Sequence, residues 1–155
     1  MRYISTRGQS LPYTFEQAVL RGLAADRGLL VPESLPDFSK NLERWTSLNY
    51  SQLAFEIIQP FVGDSIDAKA LKNIIDKSYQ VFDHPLIIPL KPFSGGLIVE
   101  LYHGPTFAFK DIALQFLGNL FEHFFSQLQK IKLSRRAVTF CSSLRKPSLE
   151  LINRL

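Results

Sequence analysis

Apolar residues recur along this chain with two different periods, and the change between them divides it into a helical and a strand-bearing part. From Thr14 to Ala25, Phe15, Ala18, Val19, Gly22 and Leu23 return at helical intervals, and Thr14 with Gln17 has the spacing of a capping box. A helix is predicted there, with Gly22 at a point of close packing. The next residues turn at Gly28 and end at Pro32, and Pro36 keeps the following loop out of a helix. A second helix is expected from about Ser51, with Leu53, Ala54, Ile57, Ile58 and Phe61 on one side and Pro60 and Gly63 near its end. A third, capped near Asp64 or Ser65, brings Leu71, Ile74, Ile75, Ser78 and Phe82 to one face.

After Pro85 the period shortens. Leu86 to Leu90 and Leu97 to Tyr102 read as two strands joined through Ser94-Gly95-Gly96, with Pro89 placing the first strand at an edge or ending it early. The paired glycines read as a turn rather than as a phosphate cradle. A long helix is expected from about 107 to 130, with Thr106 suited to its N-cap. The fold class is therefore α/β, with N-terminal helices beside a small sheet spanning residues 86–102 and one long helix after it.

On that last helix, at about 100° per residue, Lys110, Leu114, Leu117, Phe121, Phe124 and Leu128 fall on one line, with Gln115, Asn119, Glu122 and Ser126 opposite. Lys110 thus lies on the apolar stripe and in the first helical turn, where the helix dipole disfavours a cation. Two readings stay open. The side chain can snorkel from the end of the stripe into solvent and pair with Asp111 or another acid. Alternatively, desolvation and the helix terminus favour a neutral amine, able to form an imine with a carbonyl compound.

Composition narrows the class of protein. Apolar residues make up 46% and charged residues 21% of the 155, with thirteen Phe, which describes a globular chain with an aromatic-rich core. There is no apolar run of about 18 residues and no secretory h-region in MRYISTRGQS, so no membrane partner and a cytoplasmic location are expected. Cys141 is the only cysteine and reads as a buried, inert thiol; a metal site is not expected. Residues 1–129 hold 11 Lys/Arg against 13 Asp/Glu, whereas residues 130–155 hold seven Lys/Arg and only Glu150, so the net charge of +4 comes from the end of the chain. Without aromatic interleaving beyond Phe140, that basic stretch does not read as a nucleic-acid site.

The residues His103-Gly104-Pro105-Thr106-Phe107-Ala108-Phe109-Lys110-Asp111 resemble, without a gap, the lysine motif HGPTxAFKD of the threonine synthases. Tyr3-Ile4-Ser5-Thr6-Arg7-Gly8 is similar to that family's opening YxSTRG. Phe15, Ala18, Gly22-Leu23-Ala24, Asp26, Gly28-Leu29 and Val31-Pro32 match its next block, with Arg27 where a glycine is usual. The resemblance implies a fold-type II enzyme that uses pyridoxal 5'-phosphate (PLP) to convert O-phospho-L-homoserine and water to L-threonine and phosphate. It implies that Lys110 is the catalytic, Schiff-base lysine holding PLP and later shuttling protons. Asp111 then reads as a helix-start residue that supports the site, His103 as a loop histidine bonded to backbone or facing cofactor or substrate, and Ser5, Thr6 and Arg7 as caps and a salt bridge or an anion-recognising group.

The family pattern stops at about residue 131. Its next feature, a glycine-rich loop at a helix start that grips the PLP phosphate, has no counterpart, for no glycine follows Gly118 and Ser142-Ser143 alone lacks the backbone freedom. The chain is accordingly expected to divide into a threonine synthase N-terminal region, 1–131, and a basic non-family tail, 132–155. A truncation, or a frameshift near residue 131, accounts for this arrangement and makes the product an inactive fragment. The alternatives are a non-enzymatic binding protein that uses the tail for a partner, and a subunit completed by a second chain. An apolar helix face left bare would make the chain self-associate.

Overall fold

The computed structural model describes residues 1–144, and the side-chain surroundings of residues 1–130. It contains two compact units, Met1–Phe121 and Glu122–Leu155. The expectation for Cys141 lies outside the residues whose surroundings are described, and that for the tail does so in large part.

The first unit opens with strand β1 (Tyr3–Ser5), paired antiparallel to β2 (Leu30–Pro32) with Tyr3 opposite Pro32 and Ser5 opposite Leu30. Helix α1 (Phe15–Arg21) lies between them in sequence, and Thr14 and Gln17 close its capping box as the spacing requires. It ends sooner than expected, because Gly22 adopts φ +73 and donates its N–H to the Ala18 carbonyl. A Cβ at Gly22 would meet nothing within 4 Å, so this glycine serves the helix end and not close packing.

Helix α2 (Leu42–Trp45) is short. Helix α3 (Tyr50–Val62) has a capping box from Asn49 and Gln52, and Gly63 closes it at φ +56. Helix α4 (Ala68–Tyr79) is capped by Asp67, whose side chain accepts from the Ala70 N–H at 2.9 Å. Asp64 and Ser65, where the cap was expected, form a turn of 3-10 helix instead. The α3–α4 pair supplies the core: Val62, Ile66, Leu71, Ile74, Ile75 and Tyr79 are buried. Each large apolar side chain so covered contributes about 1.5–3 kcal/mol.

Strands β3 (Leu90–Phe93) and β4 (Gly96–Val99) form a hairpin through Ser94 and Gly95, with Leu90 opposite Val99. The two sheets are separate, each of two strands. Leu86 to Pro89 is not a strand: Ile87 adopts φ +62, its N–H bonds to the His84 carbonyl, and its side chain is buried in an irregular turn. The apolar run there marks burial, not pleated backbone.

Helix α5 (Asp111–Leu144) begins in the first unit and forms the described part of the second. Its first turns meet α4 through polar groups. Tyr79 Oη donates to the Ile112 carbonyl at 3.2 Å, and Asn119 Nδ2 donates to Ser78 Oγ at 3.0 Å. The face bearing Gln115 and Asn119, expected to be opposite the covered one, is therefore the face turned to α4. Leu114 is 54% exposed, and the small, fully buried Ser78 is what lets the helices approach on that side.

Candidate functional site

The site is built on the chain between the end of β4 and the start of α5. The Lys110 carbonyl accepts from the Ala113 and Leu114 N–H groups at 3.1 and 2.9 Å, so Lys110 is the N-cap residue of α5 and Asp111 the first residue inside it. Thr106, expected as the cap, lies in the loop. Lys110 is exposed at the head of the helix, as the snorkelling reading has it, and the burial on an apolar stripe that the neutral-amine reading called for is not found.

Asp111 fixes that position. It is 2% exposed, and its carboxylate accepts the Thr106 N–H at 2.8 Å and the Thr106 hydroxyl at 2.9 Å. Burial alone would push its carboxyl up, but the hydrogen bonds it accepts, those from Thr106 first, together outweigh burial and hold the group below the usual carboxylate range. The loop closes further through Phe107, at φ +58, whose N–H donates to the Gly104 carbonyl at 3.0 Å. Gly104 presses against Asp111: an added Cβ would clash with the Asp111 Cβ and stand 2.6 Å from Oδ2. The motif thus has a glycine where the aspartate needs room. It also has a threonine where the aspartate needs a donor.

His103 does not bond to backbone through its ring, as one reading of it supposed. Nδ1 lies 2.9 Å from Asp83 Oδ1 and Nε2 2.9 Å from Glu100 Oε2, while Lys91 Nζ meets Glu100 Oε1 at 2.7 Å. The hydrogen bonds from Lys91 and His103 draw the Glu100 carboxyl down to about 2, and the bond to Glu100 raises His103. Asp83, Lys91 and Glu100 were not legible as site residues, since they carry no motif and are joined only by the fold.

The N-terminal block forms its own turn. Ser5 Oγ donates to Asp26 Oδ1 at 2.7 Å and accepts the Arg7 N–H at 3.1 Å; Asp26 also accepts from the N–H groups of Gly28 and Gln9. The Ser5 bond is the main cause of a lowered Asp26 carboxyl. Thr6 Oγ1 accepts from the Leu29 N–H. A Cβ on Gly28 would overlap Ser5 Oγ and lie 3.1 Å from Asp26 Oδ1. Arg27 sits at φ +63, a left-handed conformation that costs a glycine nothing, which explains why a glycine suits this place. Ser5 and Thr6 are spent on the turn. Arg7 is exposed, and among the described residues no hydrogen bond or ion pair joins this turn to the Lys110 loop.

A cleft of about 460 Å³ bordered by α3 and α4, lined by Tyr50, Tyr79, Phe82 and His84 among others, does not include Lys110. Among the described residues there is no cluster of metal-binding side chains, and no helix is long and apolar enough to cross a membrane.

Residues 2–79 match the family described as "Threonine synthase N terminus". The threonine synthase of Schizosaccharomyces pombe is 48% identical over 128 residues, which is 81% of this chain and 25% of that protein. That of Pseudomonas aeruginosa is 49% identical over 125 residues, 79% of this chain and 27% of the relative. Aligned stretches of this size necessarily include residues 103–111. Among solved structures, PLP-bound threonine synthase from Brucella melitensis superposes with a TM-score of 0.81 at 34% identity, over 83% of this chain and 28% of that one. Yeast threonine synthase gives 0.77 at 40% identity, over 82% and 27%. The chain spans about a quarter of the length of the curated relatives it matches.

Proposed function

Because the chain belongs to the threonine synthase family, we propose that it supplies the lysine-bearing part of a threonine synthase site, with Lys110 as the residue that holds PLP. The observation that carries this reading is the Lys110 amine, exposed at the head of α5 on a loop that Asp111, Thr106 and Gly104 lock in place. A cofactor aldehyde needs an accessible amine at a fixed position. Lys110 meets both conditions.

The fit extends to the amine and stops there. The Thr106 and Phe107 N–H groups, which a phosphate would need, are already given to Asp111 and Gly104 inside the loop. On this reading the phosphate and the pyridine nitrogen are held by residues beyond this loop. Bound PLP supplies an electron sink for carbanions. The part of the reaction left to this chain is holding the cofactor at Lys110 Nζ and, once the substrate amine has displaced it, moving protons at that atom. The substrate proposed is O-phospho-L-homoserine, with water as the second reactant.

Positioning and electrostatic terms dominate catalysis in such sites, so the 155-residue chain by itself is expected to turn over no O-phospho-L-homoserine. Borohydride reduction in the presence of PLP, followed by peptide mapping, tests the assignment. It is best done on a chimaera in which residues 1–130 are joined to the remainder of the Schizosaccharomyces pombe relative. The pyridoxyl group is expected on Lys110, and a group on any other lysine would remove the assignment.

A further inference from the structure

His103 stands one residue before Gly104, and both of its ring nitrogens face carboxylates at 2.9 Å. A neutral imidazole has one N–H and one lone pair. Between two carboxylates it would donate at one nitrogen and set a lone pair against an anion at the other. Only the imidazolium donates at both. The His103 side chain is 14% exposed and that of Glu100 7%, against 65% for Asp83, so the bond to Glu100 is the shielded one.

The groups around the ring balance. Glu100 takes Lys91 on its second oxygen, giving an alternating line of Lys91, Glu100, His103 and Asp83, two cations and two anions. The rings of Tyr102 and His84 lie 4.6 and 4.8 Å from the imidazole by centroids, and Tyr102 also hydrogen-bonds Glu100. The members come from different pieces of chain: Lys91 from β3, Glu100 from the residue after β4, and Asp83 from the connection that follows α4. The Asp83 N–H also donates to the His103 carbonyl at 3.0 Å. From His103 the constraint passes along the backbone to Gly104, which abuts Asp111, and so to the residue beside Lys110.

We infer that His103 is an imidazolium clamp, donating to Glu100 and Asp83 at once, that positions the Lys110 loop, and that loss of its proton loosens the loop. His103 is a positioning residue, since its ring touches carboxylates and not the lysine. The inference rests on the proposed function only for what Lys110 does once positioned; the clamp itself needs no cofactor.

The test uses the full 155-residue chain with 15N-labelled histidine. The two His103 nitrogens are expected to read as a doubly protonated ring at neutral pH, with a titration above the ordinary histidine value of about 6.5. Glu100→Gln is expected to bring that titration down, and Asp83→Asn to do so less, because Asp83 faces solvent. Hydrogen-exchange protection of the Thr106, Phe107 and Asp111 amides is expected to fall by up to about tenfold per pH unit between the ordinary and the folded-state titration of His103. His103→Arg, which keeps donors on both sides and a permanent charge, should hold that protection into the alkaline range, while His103→Gln should lose it throughout. A ring that titrates at its ordinary value, unmoved by Glu100→Gln, overturns the clamp. Equal loop protection in His103→Gln and the unaltered chain overturns the positioning role, and the unaltered chain's own titration decides where a variant does not fold. Neither readout involves PLP, so failure of the clamp and failure of the Lys110 assignment are separately visible.

Discussion

Gly104 and Asp111 compete for the same space, and the Lys110 loop exists because the glycine yields it. Gly104→Ala forces the Asp111 carboxylate away from Thr106, since the added carbon would lie 2.6 Å from Oδ2. Overpacking of this kind costs about 1–3 kcal/mol. Gly118 is the control: it lies within α5, and a Cβ there meets nothing within 4 Å. Gly118→Ala is expected to stabilise by roughly 0.5–1 kcal/mol through helix propensity. Urea unfolding of the two variants reads both signs, and a neutral Gly104→Ala would show that the loop is looser than its contacts imply. At this scale the motif pointed to Lys110 and made Asp111 legible as the residue at the helix start. The reason for Gly104 was not, because its neighbour in space is seven residues on and comes close only when the loop folds back. His103 was legible as a residue but not in its role, since Asp83 lies 20 positions away.

Among the elements, α1 was legible from apolar spacing and its capping box, α3 and α4 from apolar spacing alone, and the hairpin from its Gly-bearing turn. Strands β1 and β2 were missed because three residues are too few for a period to register. On the first turns of α5 the covered side was misread, because the contact with α4 runs through Ser78 and Asn119, a polar pairing that an apolar stripe does not announce; further along, Phe124 of the expected stripe is fully buried and Glu122 and Ser126 are exposed. The line of charge that holds β3 and β4 to the Lys110 loop gives the fold a pH signature. Glu100, lowered from 4.5 to about 2, contributes stability that is present above about pH 4.5 and is lost as pH falls toward 2. His103, raised above 6.5, contributes stability that is whole below about pH 6.5 and is lost as pH rises through its folded-state value. From this network, stability should be greatest between about pH 4.5 and 6.5. Urea midpoints across that range and on either side check it. Glu100→Gln should weaken both limbs, and a midpoint that keeps rising from pH 6 to 8 would contradict the His103 part.

For the molecule as a whole, the hairpin is the exposed weak point. Leu90, Phe93, Leu97, Ile98 and Val99 are all exposed, on both faces of two strands that no third strand or helix covers among the described residues. A two-stranded hairpin is marginal in water without such cover. With Leu114 also open, the apolar surface invites association. Size-exclusion chromatography at rising concentration should show dimers or larger species, and a strict monomer with a sharp unfolding transition would mean that this surface is tolerated. The same surface is what a covering domain would use, and the relatives have about three-quarters of their length beyond the part matched here. The central claim, that this chain contributes the catalytic lysine of a threonine synthase site and little else of it, is tested most directly by phosphate release from O-phospho-L-homoserine. The chimaera of residues 1–130 with the remainder of the Schizosaccharomyces pombe enzyme should turn over, and its Lys110→Ala variant and the 155-residue chain alone should not. Turnover by the chain alone that Lys110→Ala abolishes, or turnover by the chimaera that survives Lys110→Ala, would contradict the account.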